Sequence, residues 1–445
     1  MKPFPHGRRL PDEAGMLAVL LLLCAVVSLV TLREQPASPH AASSQVLRAL
    51  SRVRTSSAGE GLVVATSSPD DLRFVELLRT GSAPDFNLLV TGEADAASRL
   101  GSAARPEWIV CSDASGRWLL WGRLAAQVPP LAGVPVIRPS RGRWPTFLLP
   151  SNLLNVANQI SVIALIAVGM TLVIITGGID LSVGSLVALS AVASTRLIRD
   201  CGGAESATGT TMLLAGAAAV CLCGAVGYAS GLTITALGLP PFIVTLALML
   251  VLSGWASILA GGESIYQVPD GFVALGRGAT LGLPNAVILV LAAFVAAHVM
   301  LTRTAVGRLI YAVGSNREAA RLSGAPVHAV LRRVYALSGA LAGLGGVVLA
   351  SQLKSGSPTY GQMYELYAIA AVVVGGTSLS GGRGSIAGTL VGALTIGVIQ
   401  NGMNLLDVES FTQKVVLGFV ILGAVATDRI RRSGGSREAL ARVHD

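Results

Sequence analysis

The chain is nearly devoid of lysine: Lys2, Lys354 and Lys414 are the only three among 445 residues, and none follows a glycine. A phosphate-binding loop of the Gly-x-x-x-x-Gly-Lys-Ser/Thr type needs that lysine to reach the outer phosphates. ATP hydrolysis through this motif is therefore excluded, and any ATP-driven work falls to a separate subunit. Charge is scarce as well. Charged residues make up 13% of the chain, against roughly 25% in soluble domains. The five cysteines (Cys24, Cys111, Cys201, Cys221 and Cys223) show no metal-ligand spacing, so no metal site is expected. Cys221 and Cys223 lie in an apolar run, where a thiol acts as a small hydrophobe. No Ser–His–Asp set is visible, nor the paired intramembrane acids and histidines of proton-coupled pumps. The reading is of no enzyme, no catalytic residue and no cofactor.

Apolar residues and glycine are abundant: 52% of the chain is hydrophobic, with 52 glycines and a mean hydropathy of +0.66. This composition predicts an all-α polytopic membrane protein. A helix needs about 20 mostly apolar residues to cross the hydrocarbon core. By that ruler about ten transmembrane helices are expected, near 16–32, 153–176, 183–198, 210–236, 241–261, 281–302, 332–352, 366–380, 385–405 and 411–427. The first follows Lys2, Arg8 and Arg9, as a signal peptide would, but is read as an uncleaved anchor because an even span count fits the charges.

The net charge of +9 follows from positive-inside topology rather than nucleic-acid binding. With a cytoplasmic amino terminus, 303–331 falls inside with Arg303, Arg308, Arg317 and Arg321, and Arg332 and Arg333 open the next span. The turn at Arg383 and the 429–445 tail (Arg429, Arg431, Arg432) fall inside too. Opposite them, 262–280 and 353–365 carry only Arg277 and Lys354. Arg138, Arg141 and Arg143 oppose this scheme from the external side, where long loops translocate largely regardless of charge.

The chain divides into 1–33 (cytoplasmic end and first span), an inserted soluble segment 34–147, the membrane region 148–428 and the tail 429–445. Thirteen arginines and ten acids are spread over 33–147, behind a Pro/Ser/Ala linker at 36–44. Stretches 62–66, 86–91, 107–111 and 118–121 read as strands, and 70–79 and 93–104 as helices. Ser68 and Pro69 stand at the cap and first position of the former. Alternating β and α elements predict a small α/β extracytoplasmic domain. It is read either as a docking or solute-sensing module or as an insertion without direct chemistry.

Two glycine-rich joins link apolar runs: GGIDLSVGS at 177–185 and GGTSLSGGRGS at 375–385. Each follows a Val-rich span, opens Gly-Gly and contains Leu-Ser, which hints at internal duplication. Asp180 in the first join is expected to order the helix break more than to touch a ligand. Asn155, Asn158 and Gln159 enter one span, and Gln400, Asn401 and Asn404 repeat the helical spacing in another. Their amides suit hydroxyl groups of a sugar-like solute, or else bond across helices. His298, near a span end, reads as a snorkelling or capping residue.

The stretches NLLNVANQ (152–159), AVGMTLVIITGGIDLSVGSLVAL (167–189), GLPPFIVTLALM (238–249), YAVGSNREAARLSG (311–324) and VVVGGTSLSGGRGSIAGTLVGAL (372–394) carry a resemblance. Over about 150–430 the chain resembles the permease subunits of bacterial ATP-binding-cassette (ABC) importers for ribose, xylose and related monosaccharides. The resemblance implies a multi-pass protein of the bacterial inner (cytoplasmic) membrane, in contact with membrane lipid. It also implies a second permease copy or paralogue, cytoplasmic ABC ATPase subunits, and an extracytoplasmic solute-binding protein that delivers the sugar. It puts the ATPase-coupling role on Gly314, Ser315, Asn316, Glu318, Ala319, Ala320 and Gly324. A helix-forming Glu-Ala-Ala piece between glycine hinges agrees with a rigid lever. Similar permeases lack the 34–147 segment, so it leaves partner and solute open. An ion-coupled secondary transporter and a membrane-anchored sensor are the competing readings.

Overall fold

The computed structural model describes residues 10–53, 60–81, 85–102 and 104–441. Lys2, Arg8 and Arg9 lie outside the described residues, as do the side chains of Arg429, Arg431 and Arg432. The chain forms two compact units, one of residues 32–146 and one of the remainder. Helix α1 (Leu10–Val30) belongs to the larger unit.

The smaller unit is closed by an antiparallel ribbon of β1 (Leu32–Gln35) and β6 (Gly142–Pro145), with Leu32 opposite Pro145 and Gln35 opposite Gly142. Between them run α2 (Pro39–Val53), β2 (Gly61–Ala65), α3 (Pro69–Thr80), β3 (Phe86–Val90), α4 (Glu93–Gly101), β4 (Ile109–Cys111), α5 (Leu124–Gln127) and β5 (Val136–Ile137). The central sheet is parallel, in the order β3-β2-β4-β5. Strands covered on both faces read as unbroken apolar runs, and β2 is buried along its whole length. Leu62 and Val64 face Leu100, Leu120 and Leu124. Val63 and Ala65 face Val46, Phe74 and Leu78 on the other side. Ser68 caps α3 by accepting from Asp71 N–H, and Pro69 follows at the first turn.

Two expectations fail here. The linker at 36–44 gives way to helix α2 from Pro39, because Ala42, Val46 and Leu50 recur on one buried face. The strand expected at 118–121 is a 3-10 segment instead, Leu119–Arg123. Its geometry eclipses residues three apart, so Trp118 and Trp121 stack 6.3 Å apart. The Trp121 Nε1–H donates to Ser115 O at 2.6 Å, an anchorage that outweighs aromatic β-propensity.

The larger unit continues with α6 (Pro150–Ile175), α7 (Val183–Gly202), α8 (Gly209–Leu237), α9 (Pro241–Ala260), α10 (Asp270–Arg277) and α11 (Asn285–Arg303). It ends with α12 (Ala305–Ser315), α13 (Arg317–Leu322), α14 (Val327–Leu353), α15 (Tyr364–Val374), α16 (Ile386–Leu405) and α17 (Ser410–Ala441). Among the described residues, six helices are long and apolar enough to cross a membrane: α6, α8, α9, α11, α14 and α16. Shorter apolar stretches occupy Ala14–Val30, α15 and the first half of α17. Helix α6 is buried nearly all round from Ile160 onward, as an apolar helix without a polar face must be. Helix α14 packs on α6, α7 and α8. A Cβ on Gly227 or Gly231 of α8 would overlap or crowd the α14 backbone at Tyr335 and Arg332, the close packing that small residues permit in membrane helices.

Some boundaries differ from expectation. Arg332 and Arg333 lie in the second turn of α14, not at its start. The span expected at 366–380 stops at Val374, where the glycine-rich turn begins. The last helix runs on to Ala441. The expected loop 303–331 is mostly helix, α12 and α13 with the first turn of α14.

Candidate functional site

The residues singled out at 314–324 sit where three chain segments meet. Helix α12 closes on Gly314 and Ser315, and Asn316 breaks it with an extended backbone. The Asn316 side chain then accepts from Ala319 N–H at 3.0 Å and starts α13, a cap of about 1 kcal/mol. Glu318 and Arg321 pair on the exposed surface of α13, and the Arg321 guanidinium holds the Glu318 carboxyl below its usual range. Ala320 is the buried contact of α13, Ala319 is exposed, and Gly324 ends the segment at φ +82°.

Gly314 is not a hinge. It lies within α12, and a Cβ there would overlap the Ile175 carbonyl oxygen at the end of α6 and crowd Gly382 N. The two glycine-rich joins converge on this point. Gly382 N–H donates to Ile175 O at 2.8 Å. A Cβ on Gly381, which has φ +82°, would crowd Gly314 O and Gly177 N. Arg317, the first residue of α13, donates from Nη2 to Thr176 O at 3.1 Å. Tyr311 of α12 donates to Gly384 O at 2.8 Å. The first residue of α13 is thus bonded through its side chain to the end of α6, and the end of α12 just before it packs by its backbone on the break between α15 and α16.

Asp180 is buried at 1% exposure. It accepts from Ser182 N–H (3.0 Å), Ser182 Oγ (2.6 Å) and Ser338 Oγ on α14 (3.1 Å). It therefore orders the α6–α7 break and ties it to α14, without capping α7 through a side-chain bond. Among the described residues, two buried hydroxyls have no hydrogen-bond partner: Tyr335, against Gly178 of the first join, and Thr377, in the second. Each such group costs about 1–3 kcal/mol.

The amide residues separate. Asn401 and Asn152 exchange reciprocal 3.0 Å bonds between α16 and α6, and Asn404 accepts from Gln413 of α17 at 2.9 Å. Asn158 belongs to a cluster with Ser161 and Gln352, whose Nε2 donates to Asn158 O at 3.0 Å and Ser161 Oγ at 3.2 Å. Asn155 and Gln159 are exposed and Gln400 half-buried. His298 accepts through its carbonyl from Thr302.

Sequence reasoning passed over Arg317, Tyr311, Gly381, Gly382 and Leu322. The doubled glycines were visible, but their meeting with Gly314 is a long-range contact that no local pattern records. Leu322 is 75% exposed on an otherwise polar helix. Among the described residues no cluster of His, Cys, Asp and Glu could hold a metal ion.

Comparison with known proteins places this architecture. A family described as "branched-chain amino acid transport system / permease component" matches residues 152–425. The ribose import permease protein RbsC of Bacillus subtilis is 48% identical over 287 residues, 64% of this chain and 87% of the relative. The protein of the same name in Escherichia coli K12 is 45% identical over 288 residues, with the same coverage. The D-allose transport system permease protein AlsC of E. coli K12 is 37% identical over 284 residues, 64% of this chain and 85% of the relative. No solved structure matches. All of the matched length lies outside 32–146 for the family, and the convergent helix breaks at 177–185 and 375–385 fall within it. The chain belongs to this family of ABC transport permeases, and it is not an enzyme.

Proposed function

We propose that the chain forms the membrane path of an ABC importer for a monosaccharide, driven by a separate ATPase that docks on α13. The observation that carries the reading is the bonding of Arg317 to the α6–α7 break, in a chain whose relatives are named permeases for ribose, D-allose and L-arabinose. A helix tied at its first turn to a break between spans can convert motion of a docked motor into motion of those spans. The exposed face of Glu318, Ala319, Arg321 and Leu322 is its docking surface. In this topology α1, α6, α7, α8, α9, α11, α14, α15, α16 and α17 make ten spans, both ends are cytoplasmic, and residues 32–146 are extracytoplasmic. The protein resides in the bacterial inner membrane, pairs with a second permease copy or paralogue and receives solute from a binding protein.

Asn155, Gln159 and Gln400 carry amides with no partner among the described residues and are the candidates for solute hydroxyls. Asn401 and Asn404 serve helix association. Uptake of radiolabelled ribose, allose and arabinose into proteoliposomes containing the chain, its ATPase and its binding protein tests the reading. ATP-dependent accumulation of one pentose or hexose is expected. Accumulation that follows an imposed ion gradient without ATP would establish a secondary transporter instead.

A further inference from the structure

The unit of residues 32–146 has a cavity that plays no part in the permease reading. Its parallel sheet places β2 between β3 and β4, so the strand order reverses there. Open parallel sheets bind ligands beyond the carboxyl ends of their strands near such a reversal. Directly after β2 and β4 the crevice is filled. The buried Asp71 accepts from Thr66 N–H (2.9 Å), Thr66 Oγ1 (2.6 Å) and Ser112 Oγ (2.6 Å). The open space is displaced by one strand, toward the ends of β4 and β5. It is a cavity of about 380 Å³ lined by Glu34, Ser112, Asp113 and Gly116 together with three arginines, Arg117, Arg138 and Arg141. That volume is at the lower end of the range for small-molecule sites.

The three arginines are not equivalent. Arg141 is committed: its Nε and Nη2 donate to the two Asp113 oxygens at 3.0 and 2.8 Å. Arg117 reaches the same carboxylate only loosely, at 3.6 Å, and is largely exposed. Arg138 has no hydrogen bond or ion pair among the described residues. Its methylenes pass Gly116, where even a Cβ would be in ordinary contact with them. Three guanidinium charges against two carboxylates, Glu34 and Asp113, leave one positive charge uncompensated in the cavity.

We propose that this cavity is a binding site for a small soluble oxyanion, a carboxylated or phosphorylated molecule of sugar size, received by the free guanidinium fork of Arg138. Guanidinium presents paired donors that match carboxylate and phosphate. The Asp113–Arg141 pair fixes the wall, Arg117 lies at the rim, and Gly116 leaves room at the strand end for the Arg138 side chain. This site stands independently of what the membrane unit carries.

The test uses the full chain in discs of neutral phosphatidylcholine, titrated calorimetrically with D-galacturonate, inorganic phosphate and uncharged D-galactose. At least one anion is expected to bind saturably and galactose not to bind. Loss of a charged hydrogen-bond partner predicts that Arg138→Gln weakens the anion by about tenfold or more. Arg138→Lys should retain part of the affinity, and Arg73→Gln, on the exposed face of α3, all of it. The proposal is overturned if neither anion saturates, if galactose binds as well as galacturonate, or if Arg138→Gln binds like the unaltered chain.

Discussion

Gly314 shows how one missing side chain can carry a function. The Ile175 carbonyl and the Gly382 amide occupy the space a Cβ would need. Gly314→Ala must therefore separate α12 from both helix breaks, an overpacking of about 1–3 kcal/mol. The expected outcome is a chain that still inserts in the membrane but transports at least about tenfold more slowly. Gly254→Ala, with no neighbour near its added methyl, should transport normally. Equal uptake by the two variants would remove Gly314 from the mechanism. Cys111 offers a second check at this scale. Burial pushes its thiol up to about 12, with Arg138 acting in the opposite direction. The thiolate is the reactive form, so Cys111 should resist maleimide in mildly alkaline buffer while the exposed Cys201 is modified. Mass spectrometry of labelled peptides reads both, and prompt modification of Cys111 would contradict its buried placement in β4.

At the scale of elements, α13 is short and exposed except at Ala320. Leu322 is the apolar residue of the docking surface proposed for this helix. Leu322→Glu, and Glu318→Arg with it, should reduce ATPase co-purification by about tenfold or more without loss of membrane insertion. Retention of the ATPase by the double variant would move the docking surface elsewhere. The helix was legible in sequence because Asn316, Glu318 and Ala319 supply a cap and a helix-forming core. Its anchorage was not, since the Arg317 bond to Thr176 spans 141 positions. The same limit explains the amides: spacing placed Asn401 on a helix, but only the fold pairs it with Asn152.

For the whole molecule, long apolar runs gave helices close to their expected places because hydropathy is a property of the segment itself. Helix ends were less legible, as at 366–380, where the turn geometry of Gly375 and Gly376 decides. Within 32–146 the parallel strands β2, β3 and β4 were readable from apolar runs, whereas the two-residue β5, α2 and the Trp118–Trp121 segment depend on tertiary pairing and burial. The ribbon of β1 and β6 joins the ends of this unit, and its cores are its own. Replacing 36–141 by a two-residue Asn-Gly hairpin turn should therefore leave membrane assembly and ATPase co-purification intact while abolishing anion binding. Failure of the shortened chain to reach the membrane would show that the helical unit needs the insert to fold.

A permease moved by a separate motor holds that motor in its native membrane. Affinity isolation of the tagged full-length chain from its native membrane, with mass spectrometry of what accompanies it, addresses that directly. An ATP-binding-cassette ATPase is expected to be recovered with the unaltered chain and lost from the Glu318→Arg, Leu322→Glu chain. Repeated recovery of stable protein with no ATPase would contradict this expectation.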